Sequence, residues 1–420
     1  MENEKTKGGN FLKVLGWIIA VIAIVCVGFT IANKINERQM KNYIDSFDKV
    51  YIENQLRPML DAEGNYYFET DEDFKILHLT DIHLGGGILF SENDKKAINA
   101  VAAMVSAEKP DLVVVTGDIS FAIPTTGTLN NKYAHEFFKR LMENLGVYWT
   151  ITLGNHDSEA YNFYDRAAVA EMYSSKNLKY CLFSAGPRNV YGECNHVINV
   201  KNSDGFVTQS LVMIDTNSYT EDDVLGLKWL YDNVRPGQIQ WYQTQVETYR
   251  AENLAVFQEM TDEEQASVDP EILKVKTLMF MHIPIKEVKY AYDQYVNNDR
   301  QICGELTEFY GNDGEEWPMV YCPVDDDELF ETMLANDYCR AMFYGHDHLN
   351  NFVMEYCGVK LSYGYSIDYS AYSGIDEKGY QRGCAVITSK SDGSFDIVHE
   401  NYYQDKYPSK YEKETVDMTP

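Results

Sequence analysis

Positive charge is scarce in this sequence. Lysine and arginine number 36 against 65 aspartates and glutamates, a formal net charge of −29 over 420 residues. Such a surface repels nucleic acid at long range, so no nucleic-acid-binding surface is expected. Local positive charge at a site must then come from something other than lysine, and a bound metal ion is the obvious supplier. The C-x-x-C spacing is absent, which removes zinc ribbons and thioredoxin-type redox pairs. Seven cysteines follow residue 26, so at least one stays unpaired within the chain, although a pair such as Cys181 with Cys194 is open. No internal repeat is visible, and only one long hydrophobic run occurs. Tyrosine, by contrast, is abundant, with 32 residues, which suits strands with amphipathic rims. The length allows one large core or two modest ones.

The single hydrophobic run is Val14 to Ala32, 19 residues without a charge. It is long enough to span a bilayer, too long for an ordinary cleaved signal, and no small-residue cleavage site follows it. Lys5, Lys7 and Lys13 precede it and Lys34, Arg38 and Lys41 follow it, so the positive-inside count is a tie. The expected layout is a single-pass membrane protein. Residues 1–13 form a short cytoplasmic tail, 14–32 a transmembrane helix and 33–70 a polar juxtamembrane helix and linker. Residues 71–405 form one extracytoplasmic body and 406–420 a C-terminal tail.

Within the body, short apolar runs each end in a polar cluster: "FKILHLTD" (74–81), "PDLVVVTGD" (110–118), "VYWTITLGNHD" (147–157), "VTQSLVMID" (207–215), "KTLMFMH" (276–282) and "RAMFYGHDH" (340–348). Their length and β-branched or aromatic content fit strands buried on both faces. Helical spacing separates them at 94–110, closed by proline, at 133–146, closed by glycine, and at 237–253. The alternation predicts a layered α/β core. Residues 350–398 read as consecutive strands of a hairpin-rich second sheet, and 255–275 and 286–335 as acidic, irregular insertions.

The strand ends line up as Asp81-Ile-His83, Gly117-Asp118, Gly154-Asn155-His156-Asp157, His282 and Gly345-His346-Asp347-His348. Five of the nine histidines therefore follow a predicted strand directly. Carboxylate, amide and imidazole groups together suit Zn, Mn or Fe better than Ca or Mg. Open α/β sheets gather such loops at the carboxyl ends of their strands, so residues far apart in sequence can converge. Any one cluster alone is an ordinary polar turn; it is the fivefold repetition at strand ends that carries the inference. The other histidines carry no such weight. His78 reads as a core or near-site residue, and His135, His196 and His399 as surface or edge residues. Asp325 to Glu328 reads as a solvated helix N-terminus. Tyr363, Tyr365, Tyr369 and Tyr372 fit either a substrate mouth or sheet-edge packing.

The ordered set D-x-H, G-D, G-N-H-D, H, G-H-x-H resembles the calcineurin-like metallophosphoesterase superfamily. The resemblance implies an αββα sandwich of two mixed sheets with a dinuclear metal centre between them. It implies that Asp81, His83 and His348 hold one metal, that Asn155, His282 and His346 hold the other, and that Asp118 bridges both. His156 would sit over the leaving oxygen as proton donor, with Asp157 orienting its imidazole. Gly85, Gly86 and Gly87 would keep the adjoining loop low enough for phosphate to approach. Two divalent ions about 3.5–4 Å apart can share and acidify one water for attack on phosphorus.

Phe121 stands where purple acid phosphatases carry a tyrosinate, and His83 is present where they lack a histidine, so an iron–tyrosinate centre is not expected. "GHDHLNNF" and "LSYGYSIDYSAY…KGYQRGCAVI" nevertheless resemble the purple-acid-phosphatase-like subgroup. No arginine follows Asp118 in "GDISFAIPTTG". The expected activity is hydrolysis of a phosphate ester, mono- or diester, by a membrane-anchored enzyme using two divalent ions (Mn, Zn or Fe). The alternative is an interaction protein that keeps the fold without turnover.

Overall fold

Successive side chains of a strand point to opposite faces, and in this chain both faces are apolar, so every central strand needs cover on two sides. The computed structural model describes residues 2–315, 319–372, 375 and 381–416. It meets that need with two mixed sheets packed face to face and helices outside each. Strands are numbered along the chain: β1 (Met59–Leu60), β2 (Tyr66–Glu69), β3 (Phe74–Leu79), β4 (Leu112–Thr116), β5 (Trp149–Thr152), β6 (His196–Lys201), β7 (Val207–Met213), β8 (Thr277–Phe280), β9 (Leu306–Tyr310), β10 (Cys339–Tyr344), β11 (Val353–Tyr356), β12 (Val359–Tyr363), β13 (Gly383–Ser389) and β14 (Phe395–Asn401). One sheet has the order β14-β13-β3-β4-β5, and the other β1-β2-β6-β7-β8-β10-β12-β11-β9.

Register explains the layering. Ile76 pairs with Leu112, and both join Phe280 and Phe343 in the core between the sheets. One residue on, Leu77 pairs with Val113 and Val113 with Trp149, and these three face outward. Helices α2 (Ser91–Glu108), α3 (Lys132–Leu145) and α4 (Arg166–Tyr173) cover that outer face. Helix α5 (Pro236–Glu259) and the helices at Lys286–Asn297 and Leu329–Asn336 cover the other. Gly146, at φ 70°, ends α3, its N–H bonded to the Met142 carbonyl. The result is the expected four-layer αββα architecture.

Three expectations need correction. Residues 33–70 begin as the expected juxtamembrane helix but pack onto the body rather than linking to it. Helix α1 (Glu2–Ile44) runs unbroken through the apolar segment and beyond. Met40 and Ile44, four apart and so on one helical face, are buried in the outer core with α2 and α3. Further on, β2 pairs with β6 and buries Phe68 between the sheets. The C-terminal segment is likewise no free tail. Tyr407 is buried and its hydroxyl donates to Glu108 Oε1 at 2.6 Å; residues 417–420 lie outside the described region. Finally, 350–398 does not form a sheet of its own. β11 and β12 join the nine-stranded sheet, whereas β13 and β14 extend the five-stranded one. The stretch read as insertion supplies β9, the edge strand beside β11, and two helices. The acidic run does precede a helix, with Asp327 Oδ1 accepting from Leu329 N–H.

None of the eight cysteines is disulfide-bonded. Every side chain from Leu12 to Ile31 is exposed, and α1 is the one helix among the described residues long and apolar enough to cross a membrane.

His135 and His196 are buried rather than peripheral, and His399 is half-buried. His196 is fully served as a neutral ring. Its Nδ1–H donates to the Cys194 carbonyl at 2.9 Å, and Nε2 lies 2.6 Å from the Thr150 hydroxyl. Burial pulls its pKa down to about 4. An unfolded chain takes up this proton near pH 6.5, roughly the free value, but the folded one only near 4. Stability from this group is therefore present above pH 6.5 and drains away as pH falls toward 4, by up to roughly 3 kcal/mol. His196→Gln is expected to flatten the decline in unfolding free energy between pH 6.5 and 4, measured by denaturant titration at each pH.

Candidate metal centre

The polar clusters predicted at strand ends leave β3, β4, β5, β8 and β10 on one rim of the sandwich. Close approach of these ends depends on missing side chains. A Cβ on Gly154 would lie 2.1 Å from Asp118 Oδ1, and one on Gly345 would lie 1.9 Å from Thr80 Oγ1. Four non-glycine residues there, Asp81, His83, Asp118 and His346, have positive φ between 49° and 76°. Backbone in that region is unfavourable for side-chain-bearing residues and collects at functional sites.

These turns bring the seven candidate ligands together in two groups that share a member. Ligand atoms of Asp81, His83, Asp118 and His348 all lie within 4.8 Å of one another, and so do those of Asp118, His282 and His346. Asp118 Oδ2 is 3.4 Å from His83 Nε2 and 3.1 Å from His282 Nε2. Asp81 Oδ1 is 3.6 Å from His348 Nε2. Asn155 Oδ1 adds to the second group, 3.1 Å from His282 Nε2.

The surrounding hydrogen bonds aim these atoms inward. His282 Nδ1–H donates to the Thr116 carbonyl at 2.7 Å, which turns Nε2 into the lone-pair nitrogen facing the cluster. The amide of Asn155 donates to Tyr219 OH at 3.0 Å, which points its oxygen the other way. Thr80 Oγ1–H donates to Asp81 Oδ2 at 2.8 Å, leaving Oδ1 free of it. Asp118 Oδ1 accepts the His156 N–H at 2.8 Å.

What remains is a set of buried polar atoms with no hydrogen-bond partner: Asp118 Oδ2, His83 Nε2 and His346 Nε2. Buried groups are rarely left so unless something else satisfies them, and these are lone-pair donors of the types a divalent transition ion takes. The donor set therefore fits two such ions. Electrostatics agree. Burial opposes charge on Asp118, yet His282 and His156 beside it hold its carboxyl well below the usual range. Burial likewise lowers His282, but the Asp118 carboxylate outweighs it and lifts the imidazole to about 9, so an ion bound at Nε2 would displace a proton from it. Burial, with His282 alongside, keeps His346 neutral.

Other expected residues sit differently. Asp347, between the two histidines, turns away from the cluster and accepts the Tyr363 hydroxyl at 2.5 Å. Asp157 does not orient His156. Its carboxylate accepts four backbone N–H groups, from Gly154, Asp118, Ile119 and Ser120, at 2.8–3.0 Å. It is spent on holding the Gly-Asp and Gly-Asn turns together. Glu159 is the carboxylate at His156, with Oε1 2.8 Å from Nδ1. The three glycines 85–87 do not clear space for phosphate. Cβ atoms there would strike Phe90, Tyr133 and Thr126, so they serve the packing of this loop on its neighbours.

Phe121, in the position of a tyrosinate, lays its ring 5.1 Å from His83 and 5.3 Å from His156 as an apolar wall. Tyr372 faces His348 at 5.1 Å, whereas Tyr363 and Tyr365 are buried; Lys378 to Tyr380 lie outside the described region.

Several contributors were not legible as motifs. Arg166 forms an ion pair with Asp215 and donates to the Leu153 and Gly154 carbonyls at 2.8 Å, bracing the turn before Asn155. Asp215 ends a predicted strand like the ligand carboxylates do, and only this contact sets it apart. Tyr219 also donates to Glu159 Oε1 at 3.2 Å. His135 Nε2–H supports the Asp157 carbonyl at 3.1 Å. Glu159, three residues after His156, had a spacing signal; Tyr219 had none.

Fold and site together define an αββα protein with a two-part cluster of metal-ligand side chains at one rim. A family model described as calcineurin-like phosphoesterase matches residues 74–350, and the chain belongs to that family. Its homologues are purple-acid-phosphatase-like. The Arabidopsis thaliana protein named "Probable inactive purple acid phosphatase 14" is 25% identical over 344 residues, covering 77% of each chain. The Saccharomyces cerevisiae "Phosphatase DCR2" is 27% identical over 314 residues, 68% of this chain and 46% of that one. A solved dimetal phosphatase from Danio rerio covers 79% of this chain and all of its own, at 10% identity and a TM-score of 0.43.

The reassignment of Asp157 is testable. Asp157→Asn presents an amide donor to N–H groups that already donate. It is expected to cost about 2–4 kcal/mol in unfolding free energy and to weaken metal uptake in calorimetry. Glu159→Gln is expected to change stability by less than about 1 kcal/mol.

Proposed function

We propose that this chain is a membrane-anchored phosphoesterase that hydrolyses phosphate esters with two divalent ions, Mn, Zn or Fe. The observation that carries this reading is the shared position of Asp118 between two ligand groups, with Asp118 Oδ2, His83 Nε2 and His346 Nε2 buried and without hydrogen-bond partners. Asp81, His83 and His348 would hold one ion, Asn155, His282 and His346 the other, and Asp118 both. The ions would supply charge neutralisation at the phosphoryl group and an acidified water as nucleophile.

The chain's own groups do the rest. His156, with its side chain 26% exposed beside the cluster, donates a proton to the departing oxygen. Glu159, its Oε1 2.8 Å from Nδ1, sets the ring orientation. Phe121 limits water on that side of His83. α1 anchors the protein, with the body on the extracytoplasmic face.

The names of the plant relatives favour a second reading, a fold retained for interaction without turnover. The complete ligand set argues for the first. Purified full-length protein is expected to hydrolyse an aryl phosphate or bis-aryl phosphate, and to lose activity on chelation. Asp118→Asn should lower kcat on the order of 10³-fold or more, because the bridge and the acid act as a unit. Unchanged turnover in that variant sinks the assignment, and less than one metal equivalent in loaded wild-type protein favours the inactive reading.

A further inference from the structure

Residues 221–230 turn apolar side chains outward beside exposed Glu221 and Asp222. Val224, Leu225, Leu227 and Trp229 are between 50% and 76% exposed. The loop holds this shape by internal hydrogen bonds. Asp223 accepts the Lys228 and Leu230 N–H groups at 3.2 and 2.9 Å, the Lys228 ammonium donates to the Asp222 carbonyl at 2.9 Å, and Thr220 N–H bonds the Leu230 carbonyl at 2.8 Å. Leu225 and Trp229 are held at positive φ, 60° and 56°. The loop is seated on the site: a Cβ on Gly226 would lie 2.7 Å from the Tyr219 ring, and Tyr219 bonds Asn155.

The apolar helix enters the body on a connected part of the same rim. Asn33 binds both loops there, accepting from Ile88 N–H and donating to the Gly127 carbonyl, each at 2.8 Å. One turn earlier, Phe29 still belongs to the apolar run. A Cβ on Gly127 would lie 3.2 Å from its ring and 3.3 Å from exposed Leu89. The body surface at Gly127 is thus level with the last turn of that run, about 6 Å before Asn33. From there contacts lead along the rim to the apolar loop. Exposed Phe163 bonds the Leu129 carbonyl, Asn162 caps Glu159 N–H, and Glu159 meets Tyr219.

We propose that residues 224–229 form a second membrane contact, placing Leu227 and Trp229 in the interface of the leaflet that α1 leaves. This rests on the reading of α1 as a membrane span. A bilayer is the occupant the chain itself specifies, because the one exposed apolar helix among the described residues leads to this rim. Tryptophan and leucine beside acidic Glu221, Asp222 and Asp223 suit a zwitterionic rather than an anionic surface. Both contacts would hold the metal centre against the bilayer, facing phosphoesters carried in it.

The test uses the full chain in phosphatidylcholine nanodiscs with brominated acyl chains, which quench tryptophan fluorescence on contact. Trp17 lies in the apolar run of α1 and Trp149 is buried. The Trp17→Phe variant is expected to remain quenched relative to unbrominated discs, and Trp17→Phe/Trp229→Phe to lose that quenching. Equal quenching in these two variants overturns the proposal. Wild type quenched but Trp17→Phe unquenched also overturns it, while leaving α1 as a span. An unquenched wild type overturns both.

Discussion

The Asp157 carboxylate is the constraint from which the site follows. With four backbone N–H groups converging on it, two turns from neighbouring parallel strands are locked into one unit. Buried and satisfied by charge-assisted bonds, it offsets the unfavourable φ of Asp118. Asp118 can then face both ligand groups at once. Gly154 belongs to the same unit, since any side chain there would displace the Asp118 carboxylate. The site is thus built from backbone geometry outward, and its ligand atoms are left unpartnered by construction.

Around that unit lies a support layer of ordinary polar chemistry. Arg166 with the Leu153 and Gly154 carbonyls, Tyr219 with Glu159, and His135 with the Asp157 carbonyl each connect a site turn to an element that contributes no ligand. His282 shows the principle in one side chain. Its Nδ1–H is committed to Thr116, so only Nε2 can face the cluster. The same layer ties the site to the anchor: α1 binds the loops that follow the first and second ligand-bearing strands, through Asn33.

Much of the candidate site was legible because its signal is local. A carboxylate, amide or imidazole closely after a buried strand is visible in sequence, and all seven ligand candidates carry it. The principal strands and helices were legible for the same reason, since apolar periodicity reports which faces are covered. Short-range signals failed where partners are distant. Asp157 and Glu159 are two residues apart, and the spacing of Glu159 from His156 does not by itself say which of the two meets the imidazole. Residues 33–50 read as a juxtamembrane helix and linker because the apolar residues that pack on the body, Met40, Tyr43, Ile44, Phe47 and Val50, are sparse among polar ones. The split of β11–β12 from β13–β14 leaves no local trace, since an edge strand looks alike in either sheet.

By itself the sequence determined a layered α/β body, the apolar helix, the motif order and the identities of the ligand-type residues, and the αββα form followed from the family resemblance those motifs carry. The first four depend on side-chain pattern within a few residues of each strand. Tertiary structure alone decided which carboxylate orients His156, why the glycines are there, and where the apolar helix meets the body. Those outcomes depend on contacts between segments tens to hundreds of residues apart, and such contacts are set by packing rather than by local propensity.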